Sequence, residues 1–407
     1  MTPTRRALAT TLALTAALAT APTTANAADT PQHPWYFDTL RVEEMWQHAT
    51  GEGITVAVID SGVDPTLPEL QGQVLDGTDL TRGQEGAHVD DLMHGTAVAA
   101  LVAGTGVGGG VQGLAPGVQI LPIRIDLEKL EFGQAKRWSE AIEYAVDEGA
   151  EIINMSFGGT DSGVVEEAMA EARAIAARND VLLFAATGNE GDTSNSAGYP
   201  ASHAGVVGVA AVGSNGEWVP YSTYGPQVVL AAPGNDVPGH CGDLSGPACI
   251  RPEGGTSAAS ALASASAALI WSQHPDWTKN QVLRVMLNTA ERPDDQRRDD
   301  YTGYGIVRPD RVIIDGEGDP GDPDSPPIFR DWEAALDPAA TPAPEPEAGT
   351  APETDADAEP APGPEAEAAT GEKSGPLPWI LGGTAAVLVV AVTGWVVIRR
   401  RSAPAGA

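Results

Sequence analysis

Six consecutive apolar or β-branched residues, Ile54–Ile59 (ITVAVI), run directly into Asp60. A run with no polar face suits a strand covered on both sides, the position of a parallel strand between two helical layers. Further runs of this kind predict strands over Gln119–Ile125, Ile152–Met155, Val181–Ala185 and Val206–Val212. Between and after them, helices are expected over Thr96–Ala103, Ser139–Glu148, Val164–Ala177, Ser257–Ser272 and Lys279–Ala290; in the second of these Ala141, Ile142, Ala145 and Val146 form one apolar face. Strand–helix alternation sustained over more than 200 residues predicts a three-layer α/β fold with a mostly parallel central sheet. No internal repeat is visible. Sheets of this type place ligands beyond the carboxyl ends of their strands, so residues just after strands carry the functional information.

The rest of the chain is built differently. The start, MTPTRR, leads into a short apolar stretch and then Ala25-Asn26-Ala27, the pattern of a secretory signal peptide cut after Ala27. The bare pair Arg5-Arg6 does not by itself mark a twin-arginine route. Residues 28–315 hold the folded region. From Gly316 to Pro376 there are 16 acids, two bases and 13 prolines, a composition that favours an extended, disordered acidic linker. Ile328-Phe329-Arg330-Asp331-Trp332 is an apolar island within it, either a docking point for a partner or for the domain, or an incidental cluster. Residues 377–398 are expected to form one transmembrane helix: the 20 residues Trp379–Ile398 carry no charge and reach ~30 Å at ~1.5 Å each. Arg399–Arg401 then keep a tail, residues 399–407, on the cytoplasmic side. The expected topology is a single-pass cell-membrane protein with its bulk outside the cell. With 23 bases against 56 acids, a net charge of −33, no cationic face is available for nucleic acid.

Three residues at strand ends or helix starts suggest chemistry. Asp60 closes VAVIDSGVD, His94 opens HGTAVAALVAG, and Ser257 stands in EGGTSAASALASASAAL. Each alone has an ordinary reading: a turn, a packed histidine, a helix cap. Together they supply what a serine nucleophile needs. A hydroxyl requires a base to take its proton, the imidazole is the usual base, and a buried carboxylate fixes the imidazole's tautomer and stabilises its charged form. At a helix N-terminus the serine's own N–H is free to face a developing oxyanion.

The blocks VAVIDSGVD, HGTAVAALVAG, GLAPGVQILPIR, INMSFGG, ATGNEG and GTSAAS, in this order from about Trp35 to Asp315, resemble those of the subtilisin-like serine proteases. The order Asp60, His94, Ser257 matches the subtilisin order. The resemblance implies a peptidase acting on polypeptide, with Asn189 as the side-chain donor of the oxyanion hole. It also implies that Ser156, Phe157 and Gly158 pair with extended substrate, while Ala186 and Gly188, within Ala185–Gly188, line the far side of the specificity pocket. These two segments contain no acid, so small or apolar residues are the expected occupants. No cofactor is implied, and no calcium or other metal ligands can be assigned. Many family members carry an alanine–proline pair where this chain has Ser260-Ala261, a departure that bears on the geometry of the helix after the nucleophile.

The overall plan is most similar to the mycosins, membrane-anchored proteases associated with type VII secretion. Only 32 residues separate Ala27 from Asp60, too few for a separate inhibitory prodomain, so Ala28–Phe37 is expected to wrap against the domain. Cys241 and Cys249 lie in the loop-like stretch VPGHCGDLSGPACIRP, as a disulfide or as two free thiols; outside the cell the disulfide is favoured. His240 beside them is expected at the surface. Three functions follow: an anchored endopeptidase serving a type VII secretion membrane complex, a chiefly structural component of such a complex, or a general scavenger protease.

Overall fold

The structure, a computed structural model, describes residues 33–127, 134–160, 164–242, 244, 246–292 and 297–336. Short helices α1 (Trp35–Thr39) and α2 (Val42–Met45) come first. They are followed by β1 (Thr55–Asp60), β2 (Thr78–Asp79), α3 (His94–Ala103), β3 (Gln119–Arg124), α4 (Gln134–Asp147), β4 (Ile152–Met155), β5 (Gly159–Thr160) and α5 (Val164–Arg178). Next come β6 (Leu182–Ala186), β7 (Gly198–Tyr199), β8 (Val206–Val212), β9 (Val228–Pro233), β10 (Asn235–His240) and β11 (Ala248–Glu253). The last elements are α6 (Gly255–Gln273), α7 (Lys279–Thr289), α8 (Pro309–Ile313) and α9 (Arg330–Leu336).

The seven-stranded sheet has the order β2-β3-β1-β4-β6-β8-β9, and every pairing is parallel. Its side chains alternate between two cores, as the strand period of two demands. Val56, Val58, Ile152, Leu182 and Phe184 join the core that holds α3, α6 and α7. Ala57, Ile59, Ile153, Leu183 and Ala185 join the opposite core, with Ile142 and Ala145 of α4 and Met169 and Ala172 of α5. These are the three expected layers. The chain leaves β1 toward β3 on one side and later returns to β4 on the other. A crevice therefore opens at the carboxyl end of β1, where Asp60 sits.

Several expectations need correction. The stretch around the two cysteines is not a loop: β10 and β11 pair antiparallel, with Gly239 opposite Cys249. Prolines and glycines remove the alternation that would reveal such a hairpin. The folded unit also does not end at 315. Thr278 and Asn280 donate to the Pro323 carbonyl, and Gln281 donates to that of Gly321. Lys279 Nζ pairs with Glu333 at 2.8 Å, and Ile328 and Phe329 pack on the core. Residues 316–336 are thus folded rather than linker; the apolar island docks on its own domain, which anchors this part of the acidic stretch. The expected signal peptide, residues 337–376 of the linker, the transmembrane helix and the tail lie outside the described residues, and no helix among those described is long and apolar enough to cross a membrane. At the N-terminal side, Tyr36 and Phe37 are buried and Trp35 Nε1 donates to the Asn235 carbonyl, so the described part of the extension packs on the domain.

Candidate active site

β1 delivers Asp60 to the sheet's carboxyl edge, fully buried. α3 begins beside it because Gly95 has no side chain: a Cβ there would lie 2.2 Å from the Gly62 carbonyl oxygen. That approach brings His94, the first residue of α3, against the carboxylate. His94 Nδ1 lies 2.8 Å from Asp60 Oδ1 and 3.0 Å from Oδ2. Asp60 Oδ1 also accepts from the Ser61 N–H at 2.7 Å. The Asp60 charge raises the His94 pKa above its ordinary value against the opposing effect of burial, with help from Asp90. The ring is 37% exposed, so its other nitrogen remains reachable.

Asp90 had no sequence signal, since it reads as one more acid in a polar loop. Its carboxylate accepts from the Thr96 N–H at 2.8 Å and from the Ser61 hydroxyl at 2.7 Å, which ties the start of α3 to the end of β1.

Ser257 lies in the first turn of α6 rather than at its cap. The N–H groups that open this helix have no intrahelical acceptor and must find partners elsewhere. The Gly254 N–H goes to the Gly234 carbonyl, and the Thr256 N–H donates to Asn189 Oδ1 at 2.9 Å. Among the described residues the Ser257 N–H has no acceptor outside its helix. Asn189 Oδ1 also accepts from the Thr256 hydroxyl at 3.1 Å, so the oxygen of the amide is held and its NH2 is turned away from that contact. Gly255, at φ +79°, permits this: a Cβ there would sit 3.1 Å from Asn189 Nδ2. The Ser257 hydroxyl donates to the Ser156 carbonyl oxygen at 3.0 Å.

Beside Ser257 is a cavity of about 310 Å³ lined by Ser156, Phe157, Gly158, Ala186, Gly188 and Asn189, among others. Every residue expected to bind substrate is brought together here. Glu190 lines the cavity as well. It stands just beyond the two segments used to infer a small or apolar occupant, and it adds a carboxylate that suits a basic side chain too.

A second, larger cavity, of about 750 Å³, opens on the His94 side, between Leu92 and Met93 and the β10–β11 hairpin. Cys241 and Cys249 form a disulfide in this hairpin. The His240 side chain is buried, contrary to its expected surface position: its Nε2 lies 2.8 Å from Glu69 Oε1, a contact that holds the ring inward. Among the described residues no group of three His, Cys, Asp or Glu side chains could hold a metal ion.

A buried carboxylate that holds an imidazole, and a serine in a helix's first turn whose hydroxyl is bonded to the pocket wall at Ser156, are the parts of a serine hydrolase. Residues 51–305 match the subtilase (peptidase S8) model, and the chain belongs to the subtilase family. It is 32% identical to subtilisin E of Bacillus subtilis (strain 168) over 246 residues, 60% of this chain and 62% of that protein's length. Among solved structures, MycP1 from Mycobacterium smegmatis is similar with a TM-score of 0.62 and 26% identity, covering 75% of this chain and 90% of that one. The MycP3 protease of the type VII (ESX-3) secretion system gives a TM-score of 0.60 and 29% identity, covering 72% and 90%.

Proposed function

We propose that this subtilase is an active serine endopeptidase, anchored outside the cell membrane and attached to a type VII secretion machine. The observation that carries the catalytic part is the Asp60–His94 pair at 2.8 and 3.0 Å on α3, the helix that packs against α6, where Ser257 opens onto a cavity. In the reaction the Ser257 hydroxyl turns from the Ser156 carbonyl toward His94. Its oxygen attacks the peptide carbonyl carbon while His94 Nε2 takes the proton. The charge that develops on the carbonyl oxygen falls between the Ser257 N–H and Asn189 Nδ2. His94 then gives the proton to the leaving amine, and Asp60 stabilises the imidazolium in between. Water repeats the sequence on the acyl-enzyme. The side chain before the scissile bond enters the cavity walled by Ser156–Gly158, Ala186 and Gly188.

Anchoring is supported by the uncharged stretch Trp379–Ile398 followed by Arg399–Arg401. The secretion role is supported by the likeness to MycP1, described as an essential component of the type VII (ESX-1) secretion system.

Fluorophosphonate labelling of the full chain tests the catalytic reading. Modification of Ser257 that disappears in Ser257→Ala and His94→Ala supports it; an unlabelled, folded chain refutes it. Secretion that survives Ser257→Ala but not deletion would assign the protein a chiefly structural part in the complex.

A further inference from the structure

Asn154 is an anomaly of the central sheet. It lies in β4, between Val58 of β1 and Phe184 of β6, with Ile152, Ile153 and Met155 as its strand neighbours, and it is fully buried. An amide in such a place is costly unless all its polar atoms are used. By the strand's alternation its side chain faces the same layer as Ile152, the layer of α6. There its Oδ1 accepts from the Ser260 hydroxyl at 2.8 Å and the Ser264 hydroxyl at 3.2 Å. Its Nδ2 donates to Ser156 Oγ at 2.9 Å.

Ser260 and Ser264 follow Ser257 by three and seven residues, so all three serines share one helix face. The contact returns to Ser257 through Ser156. Ser156 Oγ donates to the Ser257 carbonyl at 2.8 Å, while the Ser156 carbonyl accepts from the Ser257 hydroxyl at 3.0 Å. Because Ser156 Oγ already accepts from Asn154, its proton is directed to the Ser257 carbonyl. Around these serines the first turns of α6 bury Ala258, Ala259, Ala261 and Ala263, small side chains that by themselves discriminate weakly between registers. These polar contacts select one register and one rotation of the helix against β4.

We propose that Asn154, acting with Ser260 and Ser264, is a positioning residue that holds the first turn of α6, and with it the Ser257 hydroxyl and N–H, in register with the pocket wall at Ser156. This rests on the catalytic reading above. It also gives Ser260, the departure noted in the sequence, a specific role, since its hydroxyl is one of the two that fix the Asn154 amide. The network does not touch the Asp60–His94 pair, so it acts on the placement of the nucleophile and not on the base.

The test uses the full-length chain and four variants: Asn154→Ala, Ser260→Ala, the pair Ser260→Ala/Ser264→Ala, and Asn154→Ala/Ser260→Ala. Fluorophosphonate acylation rates, kcat and KM for a peptide substrate, the pH profile and the thermal midpoint are measured for each. Misplaced reacting groups cost up to about 100-fold. The acylation rate and kcat should therefore fall about 10- to 100-fold in Asn154→Ala and less in the serine variants, with KM within about threefold and the acidic limb of the profile unmoved. Members of one network are non-additive, so Asn154→Ala/Ser260→Ala should be no slower than Asn154→Ala alone. If Asn154→Ala does not fold, the serine variants decide, since alanine suits this alanine-rich helix. Variant rates equal to those of the unaltered chain, a change in KM alone, or a loss that only tracks the folded fraction overturns the positioning role. Absence of labelling in the unaltered chain overturns the catalytic reading instead, and the positioning role falls with it.

Discussion

Asp60→Asn changes one atom and should nearly abolish turnover. In the structure Asp60 Oδ1 accepts from the Ser61 backbone N–H at 2.7 Å, while both carboxylate oxygens face His94 Nδ1. The introduced amide must keep its oxygen toward the Ser61 N–H, because an NH2 there would set two donors against each other in a buried site. Its NH2 then occupies the Oδ2 position, 3.0 Å from His94 Nδ1. Nδ1 is forced to accept, the ring proton moves to Nε2, and the nitrogen that should take the Ser257 proton becomes a donor. The same inversion in a carboxylate–imidazole–serine triad costs about 10⁴ in kcat, ~5 kcal/mol of transition-state stabilisation.

A second signature separates this from simple damage. The Asp60 charge is the leading cause of the raised His94 pKa, and a raised pKa keeps the imidazolium to higher pH. The acidic limb of kcat/KM in the unaltered protein should therefore lie above the ordinary histidine value, and Asp60→Asn should move it downward. Steady-state kinetics across pH 5–10, with the folded fraction checked by circular dichroism, reads both quantities. A loss below about tenfold, or an acidic limb that stays in place, would refute the tautomer argument.

Asn189→Ala should lower kcat about 10²–10³-fold with little change in KM, measured by steady-state kinetics, since it removes one donor to the oxyanion. Glu69→Ala leaves the buried His240 ring without its partner and should destabilise the domain by about 1–3 kcal/mol in denaturant unfolding. The Glu69 carboxyl is pushed up by burial, but hydrogen bonds from His240 and backbone N–H groups outweigh this and hold it below its usual 4.5. A depressed carboxyl stabilises above its unfolded pKa and loses that contribution as pH falls through the folded one. The stability gap between the unaltered chain and Glu69→Gln should accordingly close below about pH 4.5, as read by thermal midpoints. A chain truncated after Asp315 should melt roughly 5–10 °C lower than one ending at Leu336, because Ile328, Phe329 and Trp332 lose their places on the domain.

Burial on both faces made the central strands legible, and it did so to within about a residue: Val206–Val212 is observed as expected, and the run at Ile54–Ile59 appears as Thr55–Asp60. The site was legible for a related reason. Asp60, His94, Asn189 and Ser257 follow or begin elements whose hydrophobic pattern is strong, so the topology brings Asp60 to His94 and Asn189 to the helix that carries Ser257. What escaped was held by pairings that leave no local pattern. β9 is bracketed by Pro226 and Pro233, which argue against a strand until it is known to lie at the sheet's edge. The folded segment 316–336 has the composition of a linker, yet Arg284 donates to the Pro320 and Ser325 carbonyls and the Arg173 guanidinium lies 5.7 Å from the Trp332 ring centroid. His240 reads as a surface residue because its partner, Glu69, is 171 positions away.

The site's parts reach it from separate elements, and each is fixed by a polar contact and not by packing alone. Asp90 fastens α3 to the end of β1 through Ser61 and Thr96; Asn189 and Thr256 fasten the loop after β6 to α6; Asn154 and Ser156 fasten β4 to the same helix. Apolar contacts are non-directional, and the small buried residues in the first turns of α6 constrain its register only weakly. Hydrogen bonds distinguish registers because a slip leaves buried donors and acceptors unmade, at about 1–3 kcal/mol each. Burial thus accounts for the stability of the layers, while these few polar contacts, buried or partly buried, set the placement that the chemistry requires.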